Sequence, residues 1–113
     1  MNTPERGFYY HYKHDPKGAE NTYAYEVMGV GHHTEEDARP EDAHLVVYRP
    51  LYEAFVYTHG KMFDVRPRDM FMEMVPKGEN NAMIPRFTKI EDVALIARLK
   101  AIQEEMYPKT AFD

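Results

Sequence analysis

The sequence predicts a small, mainly β domain of five or six short strands, followed by one amphipathic C-terminal α-helix. Three observations favour this class. Nine Tyr and six Phe among 113 residues supply side chains that prefer strands. Several segments alternate with a period of two, and the period changes to a helical one after Thr88. Arg-Pro pairs at Arg49-Pro50 and Arg66-Pro67 are typical of strand ends, where proline cannot continue a ladder.

The first two strands have the clearest alternation. Residues 7–13 alternate Phe and Tyr with other β-favouring side chains, and residues 23–30 alternate again. Residues 14–22 contain Pro, Gly and Asn without periodicity, which predicts a connection. Gly29 and Gly31 predict a bulge at the far end of the second strand.

The middle of the chain predicts a loop, a central strand and a hairpin. Residues 34–42 are acidic and contain a proline, as exposed loops do. Residues 44–49 are apolar on both sides, which predicts a strand buried on both faces. Residues 55–57 and 62–65 flank Thr-His-Gly-Lys, so we expect them to pair as a hairpin.

The next elements are shorter. Residues 68–71 predict a single helical turn. Residues 72–75 and 82–87 predict two strands around a turn rich in Gly and Asn. Thr88 and Glu91 fit a capping box, so we expect a helix over 88–107 that Pro108 ends.

The apolar side chains of this helix fall on two stripes. The smaller stripe contains Ile90, Ala94, Ala97 and Ala101, and the bulkier one contains Leu95, Leu99, Ile102 and Met106. One stripe can cover the β domain. The bulkier stripe then needs more of the same domain or a second chain, so a homodimer through it is one expectation.

Composition excludes several functions. Without Cys or Ser, the chain has no disulfides, thiolate metal sites or Ser-His-Asp and Cys-His nucleophiles. The formal net charge of −5 argues against nucleic-acid binding by bulk electrostatics. No apolar run has the length of a membrane span, so we expect no membrane partner and a cytoplasmic location.

Six short stretches in order resemble the small bacterial proteins of domain of unknown function family 1653. They are Gly7 to Lys13, Tyr25 to Val30, His33 to Glu35, Leu45 to Arg49, Val65 to Phe71 and Ile84 to Phe87. The resemblance implies an SH3-like β-barrel over residues 6–87 and brings no activity. The helix over 88–107 and the tail over 108–113 lie beyond it.

A set of polar residues in or just after the strands forms the candidate ligand-binding site: His11, His33, Glu35, Tyr48, Arg49, Arg66 and Arg86. Packing alone would more readily use apolar side chains at such positions. Arginine binds carboxylate or phosphate through a planar fork, and Tyr or His can stack or donate. We therefore predict a non-enzymatic binding module for a small anionic ligand or a peptide, with no cofactor, metal or catalytic residue.

Other interpretations stay open. The arginines and Glu35 could be structural ion pairs at strand corners. His33 and Glu35, two residues apart, could act as an acid-base pair in an enzyme. The His11/His14 and His32/His33 pairs suggest a metal, but strand geometry points each pair to opposite faces. Exposed aromatic rings beside arginine could bind single-stranded nucleic acid.

Overall fold

The computed structural model describes residues 3–109 and shows a mainly β domain with a C-terminal helix. This part of the chain contains seven strands, one more than the upper prediction: β1 (Gly7–His11), β2 (Ala24–His32), β3 (His44–Pro50), β4 (Asp64–Pro67), β5 (Met74–Lys77), β6 (Ala82–Pro85) and β7 (Phe87–Lys89). The helices are α1 (Phe55–Thr58), α2 (Arg68–Phe71) and α3 (Val93–Met106), and Pro40–Asp42 form a 3-10 turn. The mainly β class and the helical turn at 68–71 are confirmed.

Five antiparallel strands form the main sheet in the order β4-β3-β2-β1-β7, and β5 pairs with β6 in a separate hairpin. β4 and β7 are the two edges of the main sheet. No ladder within residues 3–109 joins these edges, so the pairings do not close the barrel that the family resemblance implied.

The main sheet separates two apolar cores because neighbouring residues of a strand point to opposite faces. The inner core contains Tyr9, Val27, Val46, Tyr48, Phe71 and Phe87. The helix-side core contains Phe8, Ala24, Leu51, Ile90 and Leu99. Phe8 and Tyr9 thus belong to different cores although they are adjacent in β1. The sheet is buried on both faces, which explains the apolar runs in its central strands.

The bulkier stripe of α3 packs on the helix-side core. Leu99 is fully buried there, and Leu95 and Ile102 pack beside it. Of the smaller stripe, Ala94, Ala97 and Ala101 are exposed, whereas Ile90 precedes α3 and is buried in the helix-side core. The structure therefore supplies a surface for the bulkier stripe within the same chain.

Within residues 3–109, no helix has the length and apolar character that crossing a bilayer requires.

The predicted start of this helix is wrong by five residues. Thr88 and Lys89 pair with Tyr10 and Tyr9 of β1, so their backbone groups belong to β7 and not to a helix. Asp92 caps α3 instead, and its carboxylate accepts from the backbone N–H of Ala94 at 2.9 Å and of Leu95 at 3.1 Å. Strand pairing has overridden the local capping-box signal.

The predicted hairpin over 55–65 is also wrong, because residues 55–58 form the one-turn helix α1. The backbone N–H of His59 donates to the Phe55 carbonyl, and the two rings stack with centroids 4.0 Å apart. The Thr58 hydroxyl donates to the same carbonyl at 3.1 Å. These local contacts favour a helical turn. The strand that follows begins only at Asp64 and pairs with β3.

Arg86 divides the strand that was predicted over 82–87. Its backbone N–H donates to the Glu73 carbonyl beside the β5-β6 hairpin, and its carbonyl accepts from the Tyr12 N–H beside the main sheet. The chain therefore passes from one sheet to the other at this residue.

The predicted bulge in β2 is confirmed between Val27 and Gly29. Val27 pairs with Tyr48 and Gly29 pairs with Val47, so Met28 is the additional residue that has no partner in β3. Such bulges bend a strand and redirect a side chain, and they are frequent next to binding sites.

Candidate functional site

Arg66 and Tyr48 form the centre of the candidate site on the inner face of the main sheet. Val46 pairs with Arg66 and Tyr48 pairs with Asp64 across β3 and β4, so Tyr48 and Arg66 are diagonal neighbours on one face. The Arg66 Nε donates to the Tyr48 hydroxyl at 3.1 Å. Tyr48 is only 4% exposed, so this hydroxyl is a fixed acceptor that orients the guanidinium.

Phe87 supports the same guanidinium from β7. The Arg66 Cζ lies 5.6 Å from the centroid of the Phe87 ring, within the range of a cation–π contact. Within residues 3–109, the structure gives Arg66 no ion pair with a carboxylate. Its charge is therefore positioned by a neutral hydroxyl and a ring.

His11 lies at the end of β1 and meets Phe87 edge-on, with ring centroids 5.1 Å apart. Burial, together with the positive charges of Arg66, Lys13, Arg86 and Lys77, lowers the pKa of His11 to about 4. His11 is consequently neutral at pH 7. Its Nδ1 accepts from the Lys13 backbone N–H at 3.2 Å, which leaves Nε2–H as the donor. We call His11, Tyr48, Arg66 and Phe87 the Arg66 cluster.

Arg86 stands beside this cluster but is held by other groups. Its Nε donates to the Met70 carbonyl at 3.1 Å, and its Nη2 lies 3.2 Å from Glu73 Oε2. It contributes positive charge near His11, while its donors fasten the corner between the two sheets. Arg86 therefore fits the alternative in which the arginines form structural ion pairs at strand corners.

Arg49 lies on the opposite face of the sheet, because it follows Tyr48 directly in β3. Its Nε is 2.8 Å from Glu26 Oε1, and its Cζ lies 3.9 Å from the centroid of the Tyr107 ring. The guanidinium is thus on the helix side, away from the Arg66 cluster.

His33 and Glu35 are in a third place, in the loop after β2. The Glu35 backbone N–H donates to His33 Nδ1 at 3.2 Å, and Glu35 is exposed. The contact joins the imidazole to a backbone amide, so the carboxylate does not orient the ring. Of the seven predicted residues, the structure brings His11, Tyr48 and Arg66 together with Arg86 beside them, and it separates Arg49, His33 and Glu35.

The sequence prediction missed an aromatic rim beside the cluster. Successive ring centroids lie 5.6 Å apart from His11 to Tyr23, from Tyr23 to Tyr52 and from Tyr52 to Tyr25, and 5.8 Å apart from Tyr25 to Phe87. With the contact between Phe87 and His11, these five rings form a closed circuit. The abundance of Tyr was visible in the sequence, but nothing in it indicated that Tyr52 joins the others.

The rim also contains an acidic group and a hydroxyl pair. Burial raises the pKa of Asp64, while the nearby charge of Arg66 opposes that shift. The hydroxyls of Tyr25 and Tyr52 are hydrogen-bonded to each other, and burial together with this bond raises the pKa of Tyr25. Both hydroxyls stay protonated at neutral pH, so the rim offers neutral aromatic faces.

No group of three His, Cys, Asp or Glu side chains within residues 3–109 could hold a metal ion. In the first predicted His pair, His14 Nδ1 lies 2.6 Å from the Thr22 carbonyl, and its ring stacks on Tyr10 at 3.7 Å. The His14 ring is therefore used in contacts of the connection between β1 and β2.

Comparison with known proteins places the chain in a family but supplies no activity. Neither the curated proteins nor the solved structures contain a match to this sequence. A family model described as "protein of unknown function (DUF1653)" matches residues 7–89, which include all seven strands and the whole Arg66 cluster. The chain therefore belongs to the DUF1653 family of proteins of unknown function.

Proposed function

We propose that this protein is a non-enzymatic binding module that holds a small anionic ligand at the Arg66 cluster. The observation that carries the proposal is the environment of Arg66, a half-buried guanidinium oriented by the Tyr48 hydroxyl. In the described part of the chain Arg66 makes no direct ion pair, although its charge acts on the nearby Asp64, so it can offer its remaining donors to an incoming anion. Arginine presents them in a planar fork that fits carboxylate and phosphate.

The surroundings favour an anion that carries a flat apolar group. Neutral His11 can donate through Nε2–H without needing a proton from solvent. Tyr23 and Tyr52 at the rim are half-buried, so each leaves part of a ring accessible to a ligand. A peptide could present the same anionic group through a carboxylate. We favour a small ligand over a peptide because the cluster lies between strands.

The proposal can be tested by calorimetric titration with phenyl phosphate, benzoate and inorganic phosphate. We expect phenyl phosphate and benzoate to bind with Kd below about 1 mM, and inorganic phosphate more weakly. Arg66→Lys keeps the charge but loses the fork, so it should weaken binding about tenfold or more. Arg39→Lys is the matched control, because Arg39 is exposed beside the 3-10 turn.

Either of two results would contradict this function. One is the failure of all three probes to bind at about 10 mM. The other is an equal loss of affinity in Arg39→Lys and Arg66→Lys, which would indicate a diffuse charge effect. Thermal melting of each variant separates lost binding from lost folding.

Three alternative functions have less support. A homodimer through the α3 stripe would need Leu95, Leu99 and Ile102, which pack on their own domain. An enzyme using His33 and Glu35 would need a carboxylate–imidazole contact, whereas the contact is through the backbone. A single-strand nucleic-acid binder would have the rings but a net charge of −5. A cytoplasmic, bacterial setting belongs to the same proposal, and cell fractionation of the source organism tests it.

A further inference from the structure

A groove on the helix side of the sheet is distinct from the Arg66 cluster. Its volume is about 890 Å³, and its walls come from the residue before β1, the β2 bulge, β3, the segment before β4, and α3 with the residues that follow it. This volume lies in the range of small-molecule sites. Because Arg49 and Tyr48 point to opposite faces, the groove and the Arg66 cluster are on the two sides of one strand.

The groove is basic although the whole chain is acidic. Five of its lining residues are cationic and only one is acidic: Arg6, Arg49, Lys61, Lys100 and Lys109 against Glu26. Glu26 is already paired with Arg49, and the side chains of this pair are 17% and 15% exposed. Lys100 is the single cation of the five within α3, Lys109 follows the helix, and the other three come from other elements.

Gln103 gives an independent indication of a ligand. It lines this groove and the adjoining cavity of about 440 Å³, and the residue is 9% exposed. Its buried Oε1 has no hydrogen-bond partner among residues 3–109. A buried amide oxygen without a donor is costly, so a bound group with an O–H or N–H would satisfy it once the Gln103 amide turns toward the groove.

Apolar walls complete the groove. Phe63 is 51% exposed, and the β2 bulge places Met28 in the lining. Tyr107 is fixed, since its hydroxyl donates to the Pro50 carbonyl at 2.6 Å and burial raises its pKa to about 12. These walls suit a flat apolar group between charged ends.

From these features we infer that the groove binds a small molecule that combines two or more phosphate groups with a neutral hydrogen-bond donor, the chemistry of a nucleoside polyphosphate. The lysines and Arg6 bind the phosphates, Gln103 accepts from the donor, and Phe63 contacts the apolar part. α3 lies outside the part of the chain that the family model matches, so this site depends on the added helix.

The test is calorimetric titration of the full chain with ADP and with pyrophosphate, without divalent cations and at low ionic strength. We expect ADP to bind with Kd below about 1 mM and pyrophosphate about tenfold more weakly. Lys61→Gln with Lys100→Gln should weaken both probes about tenfold or more. Lys13→Gln with Lys77→Gln removes the same charge near His11, and it should change both affinities less than about twofold.

Gln103→Leu separates a binding role from a structural one. Replacing an unpartnered buried amide with a similar apolar side chain should keep or raise the melting temperature. We expect it to weaken ADP about fivefold while pyrophosphate changes less than about twofold.

Three results would overturn the inference. They are no binding of either probe at about 5 mM, an equal loss of affinity in the two lysine double variants, or equal effects of Gln103→Leu on ADP and pyrophosphate. Oligouridylate that bound about a hundredfold tighter than ADP would also overturn it, in favour of nucleic acid. Because Arg66→Lys leaves this groove intact, failure here is distinguishable from failure of the function proposed for the Arg66 cluster.

Discussion

Leu99→Ala should destabilise the folded monomer strongly. Leu99 is fully buried among Phe8, Leu51 and Ile90, which lie on or next to strands of the main sheet and cannot collapse far into a cavity. Leucine-to-alanine changes at such sites cost about 2 to 5 kcal/mol, and the rigid surroundings favour about 3 to 4 kcal/mol. With a urea dependence of about 1.5 to 2 kcal/mol per M, the unfolding midpoint should fall by about 2 M. Val93→Ala is the control, since Val93 is 81% exposed and should change stability by less than about 0.5 kcal/mol.

The assay is urea unfolding followed by tyrosine fluorescence at two protein concentrations about tenfold apart. If α3 packs only on its own sheet, the parent midpoint is independent of concentration. If the stripe were a dimer interface, the midpoint would rise with concentration. That rise, or a Leu99→Ala cost below about 1 kcal/mol, would refute the packing of α3 on its own sheet alone.

Three further results are expected. Tyr48→Phe removes the acceptor of Arg66 and should cost about 1 to 2 kcal/mol in urea unfolding, because the half-buried guanidinium regains only part of its hydration. Equal stability of Tyr48→Phe and the parent would show that this hydrogen bond contributes nothing. Asp92→Ala removes the cap of α3 and should cost about 1 kcal/mol, with Asp92→Asn recovering most of it. His11 should make stability depend on pH: its pKa falls from 6.5 unfolded to about 4 folded, so its contribution is complete above pH 6.5 and is lost as pH falls toward 4. For a half-buried ring we expect a loss of about 1 to 2 kcal/mol of stability across that range. It is measured as the difference between the parent and His11→Gln in urea unfolding at each pH. Parallel pH profiles of the two proteins would contradict it.

The sequence predicts the long, periodic elements and fails where tertiary pairing competes with a local signal. β1, β2 and β3 are recognisable because alternation and turn residues agree. Thr88 and Glu91 form a plausible capping box, yet the free edge of β1 takes residues 87–89 as a strand. A one-residue corner such as Arg86 has no local signature, so the sequence could not show where one strand becomes two.

The site was half predictable. Tyr48 and Arg66 could be selected because polar side chains in predicted strands need a reason to be there. Arg49 could have been assigned to the other face, since it is adjacent to Tyr48. The pairing of Tyr25 with Tyr52 joins residues 27 positions apart through their hydroxyls, and no spacing rule predicts it.

The bulge at Met28 also bears on how chains of this kind can differ in length. Val27, Gly29 and Val30 pair with Tyr48, Val47 and Val46, so removing Met28 would leave consecutive residues opposite consecutive residues. The sheet can therefore lose this residue without a change of register elsewhere, whereas a deletion within β3 would turn the following side chains to the wrong face. A deletion of Met28 would remove part of the wall of the basic groove. Length variation at this position would thus change the wall of the groove while the strand pairing is kept.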